Sequence, residues 1–144
     1  LSDNIILRIA GEAKGKARPK FDPRTRRAFN PPANIVSEND IRAVWREAGE
    51  PRLPDVGLVM IIQVTVPRPG GHFKSDGTLS AEGIRNPTPK KKKPDLDNVA
   101  KTALDALNTR AYKDDKQIVR LVITRIWGEW AEMTIQIRQH GDEL

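Results

Sequence analysis

The chain of 144 residues has no cysteine, which excludes a disulfide framework, a zinc–thiolate site and a cysteine nucleophile. Histidine is almost as scarce. His72 and His140 are the only two, so a zinc centre built on imidazoles is disfavoured as well. No apolar run approaches the ~18 residues that cross a bilayer. No basic segment followed by an apolar one opens the sequence, so a signal peptide is not expected and the chain reads as cytoplasmic. Acidic residues are outnumbered, with 19 Asp and Glu against 25 Lys and Arg, giving a net charge of +6. That balance favours a polyanionic partner, most simply nucleic acid, bound with strong salt dependence. Charge alone does not distinguish such a protein from a soluble one that happens to be basic.

At this length residues 1–144 are expected to form one domain. Ile5, Ile6, Leu7 and Ile9, closed by Gly11, predict a first strand over residues 4–9. A basic arm follows, with Lys14, Lys16, Arg18, Lys20, Arg24, Arg26 and Arg27 against the single Asp22. Pro19 and Pro23 exclude a continuous helix there. Phe21 and Phe29 interleave aromatics with the charge, a pattern that suits nucleic acid. Anchoring of both rings to the core accounts for them equally well. Ile35, Ile41, Val44, Trp45 and Ala48 recur at helical spacing and predict a helix over 34–48, with caps available at Ser37 to Asp40.

Residues 56–66 read as a long strand, apolar on both faces near its start and therefore central in a sheet. Residues 67–93 are rich in Gly and Pro and lack periodicity, so a long loop is expected. His72 falls in it and reads as a solvated or phosphate-contacting side chain. Leu96, Val99, Ala100, Ala103, Leu104 and Leu107 predict a helix over 97–108. Residues 118–127 and 133–138 read as two strands, and the short 128–130 connection predicts an antiparallel hairpin. The sum is an α+β domain with one mixed sheet and two main helices.

The chemistry concentrates at Lys90, Lys91, Lys92 and Lys93, which run directly into Pro94, Asp95, Leu96 and Asp97. Lysines gather polyanion, and paired carboxylates hold a hard cation, which needs only one or two of them beside substrate phosphates. Asp95 and Asp97 point to one side if the segment is extended. Asp114 or Asp115, arriving on the loop after the helix, would close the site. Crowded aspartates repel unless a cation or proton intervenes. The competing reading makes one of Asp95 and Asp97 a helix N-cap. Lys101 lies four residues from both Asp97 and Asp105 on one helical face. It serves either an exposed ion-pair ladder or charge stabilisation at a scissile phosphate, and spacing does not separate the two.

Pro94-Asp95-Leu96-Asp97-Asn98-Val99-Ala100-Lys101, then Leu104-Asp105-Ala106-Leu107, then Tyr112-Lys113-Asp114-Asp115-Lys116-Gln117 resembles the RusA-like Holliday junction resolvases. Lys16 to Lys20 and Val64 to Pro69 resemble that family's basic segment and the end of its central strand. The resemblance implies a small homodimeric endonuclease dependent on Mg²⁺, with Mn²⁺ as a substitute, that cuts four-way branched DNA by paired nicks. On this basis Asp95, Asp97 and Asp115 match the cation-binding carboxylates, Asp114 the neighbouring acid and Lys101 the essential lysine. Lys90 to Lys93 and the basic arm would track the DNA backbone. Rival expectations are a non-catalytic basic DNA-binding protein and a nuclease selective for forks or flaps.

Overall fold

The computed structural model describes residues 3–13, 20–22, 27–29, 35–90 and 95–141. The strands in chain order are β1 (Asn4–Ala10), β2 (Glu12–Ala13), β3 (Lys20–Asp22), β4 (Arg27–Phe29) and β5 (Ile35–Val36), then the longer β6 (Leu58–Pro67), β7 (Ile118–Gly128) and β8 (Glu132–Gln139). The helices are α1 (Glu38–Glu47), α2 (Ala81–Arg85) and α3 (Leu96–Leu107). The centre is a four-stranded mixed sheet in the order β1-β8-β6-β7, with the four short strands outside it. The α+β class and the mixed sheet are as the sequence led one to expect.

Strand alternation builds the core. Ile5, Ile137 and Met60 fall in one cross-strand row, then Leu7, Ile135 and Ile62, then Ile9, Met133 and Val64. All nine are buried. Period-two alternation puts each row on the same face, and α1 and α3 cover that face with Ile41, Trp45, Val99, Ala103, Ala106 and Leu107. Each such side chain taken fully out of water contributes about 1.5–3 kcal/mol.

β6 is central, as its two apolar faces required, but its neighbours differ from expectation. β7 and β8 do not form a hairpin. β8 lies antiparallel between β1 and β6, while β7 runs parallel to β6 on the far side. The short link between β7 and β8 therefore crosses the end of β6 instead of folding back beside β7. Gly128 makes the crossing feasible, because a Cβ there would collide with the Thr65 side chain. The parallel pair β6 and β7 needs a long connection between them, and α3 lies within it.

Other boundaries also moved. The helix expected from residue 34 begins at Glu38, because Ser37 and Asp40 form a reciprocal capping box and Ile35 and Val36 pair with β2 instead. The basic arm is in part a strand pair, with Lys20 opposite Phe29 and Asp22 opposite Arg27. Lys14, Lys16, Arg18, Arg24 and Arg26 lie outside the described residues, as do Lys91, Lys92 and Lys93.

The stretch expected to be a loose loop carries order. A 3-10 turn at Gly70–His72, a bridge between Phe73 and Leu79, and α2 fill much of it. His72 is not solvated: it is 6 % exposed, edge-on to Trp127 at 5.3 Å and within 3.2 Å of the Arg68 guanidinium at Nδ1. Arg68 also donates to the carbonyls of Gly83 and Asn86 and stacks over Trp127. Gly83 has to be glycine, since a Cβ would strike the His72 carbonyl. This cluster fixes the excursion against the ends of β6 and β7, just before the chain enters α3.

Candidate active site

α3 is amphipathic, and the candidate residues lie on its exposed side. Val99, Ala100, Thr102, Ala103, Ala106 and Leu107 are buried, leaving Asp97 and Lys101 exposed and Asp105 half-buried. Asp95 occupies the N-cap with extended backbone (φ −60, ψ 145), yet its side chain makes no capping hydrogen bond. Asp97 sits in the first turn. One of the pair, Asp95, thus takes the expected N-cap position, but its carboxylate is not spent on a capping hydrogen bond. Both carboxylates stand at the positive end of the helix dipole, which attracts negative charge. No ion pair among the described residues engages Lys101, so the ion-pair ladder expected of an exposed lysine is not formed.

The second acidic group lies beyond the other end of α3. Asn108 is the C-cap, and its Oδ1 accepts a hydrogen bond from the Asp115 backbone N–H at 3.0 Å. Asp114 caps a 3-10 turn at Asp115–Gln117, its side chain accepting from the Lys116 backbone N–H at 2.9 Å. Tyr112 lies beneath, fully buried, its hydroxyl donating to the Leu104 carbonyl at 3.1 Å. A buried hydroxyl without that partner would cost about 1–3 kcal/mol. Burial raises the Tyr112 phenol well above its ordinary value, and the charges of Asp115 and Asp105 add to the effect.

The electrostatics mark the crowding. Asp115 is raised above the ordinary carboxylate range by loss of hydration, by its hydrogen bond with Asp114 and by the charges of Asp114 and Asp105, with Lys116 opposing. Asp114 is lowered, first by the Lys116 backbone N–H. Three carboxylates therefore feel one another at this end of α3.

The two acidic groups are not one cluster within a chain. Asp95 and Asn108 cap opposite ends of a helix of 12 residues, which at ~1.5 Å per residue separates them by roughly 20 Å. Consistent with that, among the described residues no three His, Cys, Asp or Glu side chains converge to hold a metal ion. Each group nevertheless fits a hard cation in donor chemistry. Asp95 and Asp97 offer oxygens not spent on the helix, and a cation would relieve the like-charge strain on Asp115.

Of the basic residues, Lys90 is exposed and closes a turn onto the Thr88 carbonyl. Sequence reasoning did not anticipate the contributions of Asn108, Tyr112 and the Arg68–Trp127 cluster. Tyr112 and Gln117 left a trace in the motif that frames the acidic pair, and Arg68 in the segment after the central strand, but none of their contacts was foreseen.

Residues 10–138 match the family described as Endodeoxyribonuclease RusA, and the chain belongs to that family. It is also 29 % identical over 141 residues to the Bacillus subtilis (strain 168) protein named Uncharacterized protein YqaN, spanning 95 % of this chain and 97 % of that one. No helix is long and apolar enough to cross a membrane among the described residues.

Proposed function

We propose that this chain is a divalent-cation-dependent endonuclease that resolves four-way DNA junctions, acting as a two-fold dimer. The observation that carries the reading is the outer edge of α3. Asp97 and Lys101 lie one turn apart on its exposed side and Asp95 is exposed at its N-cap, with neither carboxylate spent on a capping hydrogen bond and the lysine in no ion pair among the described residues. Membership of the RusA family supports reading these residues as the ones that would serve hydrolysis of a phosphodiester. A non-catalytic DNA-binding protein would use its acids as caps and ion-pair partners, and of the four aspartates only Asp114 makes a side-chain capping hydrogen bond.

The reaction is in-line hydrolysis. The water oxygen bonds to phosphorus as the bond to the 3′ oxygen breaks, and the water's proton ends on that oxygen. Mg²⁺, or Mn²⁺ in its place, would supply Lewis acidity and lower the pKa of the attacking water. Asp95, Asp97 and Asp115 would hold the cation, with Asp114 next to Asp115. Lys101 meets the charge that builds on the phosphoryl oxygens. Lys90 to Lys93 and the basic arm neutralise the phosphates that flank the cut.

The split between the acidic groups bears on assembly. A two-fold axis perpendicular to α3 near its middle superimposes one end of the helix on the other. Asp115 of a second copy then arrives beside Asp95 and Asp97 of the first, and the same happens reciprocally, as an isologous interface demands. Two equivalent sites result, which suits two symmetric nicks in a junction.

The test is cleavage of a synthetic four-way junction, a fork, a flap and a linear duplex by the purified chain, with Mg²⁺, Mn²⁺ or chelator. Paired nicks in the junction only when a cation is present are expected. No cleavage of any substrate with either cation would refute the nuclease reading. Faster cutting of forks or flaps than of junctions would reassign the substrate.

A further inference from the structure

Two amide side chains hold the loop that carries Asp114 and Asp115. Gln117 has all four of its amide hydrogen-bonding positions filled. Its Oε1 accepts from the backbone N–H groups of Lys113 at 2.9 Å and Asp114 at 3.0 Å. Its Nε2 donates to the carbonyls of Pro54 and Val56, both at 3.1 Å. An amide offers two lone pairs and two N–H donors, so this one is saturated. It ties the acidic loop to the segment that enters β6. Glutamate could not donate to the two carbonyls, and lysine could not accept from the two N–H groups. Asn108 adds a second tie from the end of α3, its Oδ1 accepting from the Asp115 N–H at 3.0 Å.

These bonds address a mechanical problem. Asp114, Asp115 and Asp105 repel one another, and an unsupported loop would spread them apart in the absence of a cation. Fixing the backbone at residues 113–115 denies the loop that freedom. Neither amide is itself a carboxylate ligand. We propose that Gln117 and Asn108 are positioning residues, which hold the carboxylates of Asp114 and Asp115 ready for a divalent cation without touching it. The inference rests on the reading of Asp115 as a cation ligand.

Loss of such support typically weakens metal affinity or activity by about 10–100-fold. The test uses the full chain carrying Gln117→Met or Asn108→Ala, with Asp115→Asn in parallel. Two quantities are read: the Mg²⁺-induced rise in Tm of the DNA-free protein, and the Mg²⁺ midpoint of single-turnover junction cleavage. Both amide variants should need roughly 10–100-fold more Mg²⁺ for half of each effect, while cleavage at saturating Mg²⁺ returns to within a few-fold of the parent. Folded variants with the parent's Mg²⁺ midpoints, or with a slower rate at every Mg²⁺ concentration and no change in midpoint, would overturn the inference. Should Gln117→Met fail to fold, Asn108→Ala decides. If Asp115→Asn itself cleaves at the parent rate, the site assignment fails. If it is inactive while the amide variants keep the parent midpoints, only the positioning role fails.

Discussion

Replacing Lys101 by methionine separates a catalytic lysine from an ornamental one. Lys101 is exposed on α3 and no ion pair among the described residues engages it. Methionine and lysine have similar helix propensity, so the substitution should change stability by under about 0.5 kcal/mol. The kinetic effect is of another size. An ammonium about 4 Å from a phosphoryl oxygen contributes about 1 kcal/mol per unit charge in bulk water and about 4 kcal/mol at an effective dielectric near 20. A cleavage site covered by DNA lies between those limits. The expected loss is therefore at least ~100-fold, equivalent to about 2.7 kcal/mol of transition-state stabilisation. The assay is single-turnover cleavage of a four-way junction at saturating enzyme and Mg²⁺, beside a thermal melt and a binding isotherm. Near-parental cleavage in a folded, DNA-binding variant would refute the assignment and leave the chemistry to the carboxylates.

Changing Lys90 to Lys93 together to alanine should weaken binding to all DNAs and lower the slope of log K against log salt by roughly 0.9 for each phosphate no longer neutralised; an unchanged slope would make the run a passive surface. Asp115→Asn should raise the Tm of the cation-free protein at neutral pH. The sign follows from the raised Asp115 value: the folded state disfavours the ionised form, so the penalty is present in full above the folded value and is relieved as pH falls through it. The Tm advantage of Asp115→Asn should therefore shrink in acid, and a variant less stable than the parent at neutral pH would contradict the repulsion.

Much of this fold was legible because its signals are local and periodic. The apolar run Ile5, Ile6, Leu7 and Ile9 and the alternation of Met133, Ile135 and Ile137 marked two strands that are observed, with Ile5, Leu7, Ile9, Met133, Ile135 and Ile137 buried and Ile6 exposed. The spacing of Val99, Ala103 and Leu107 placed α3 to within a residue or two. Pairing was less legible. A short link after β7 signals a hairpin, and nothing local reveals that Gly128 instead lets the chain pass over Thr65 to reach the far side of β6. His72 was misread for a related reason: its burial depends on Trp127, distant in sequence, and on the absent side chain of Gly83. At the candidate site, residue types and spacing singled out Asp95, Asp97 and the Asp114–Asp115 pair, while spacing left Lys101 between two readings. What they could not convey is that α3 holds the two acidic groups apart, because distance along a helix becomes visible only once both of its ends are fixed.

The central claim is that each cleavage site is assembled from both ends of α3, contributed by two copies. Asp97→Asn and Asp115→Asn should each abolish cleavage alone. Mixed and allowed to exchange subunits, they should recover activity. In the heterodimer one site combines both substitutions and is dead, while the other has native Asp97 from one copy and native Asp115 from the other. The mixture should therefore nick one strand of a four-way junction in Mg²⁺, with a dimer seen by sedimentation. A mixture that exchanges subunits, confirmed by differential tagging, yet remains as inactive as either variant alone would contradict the claim.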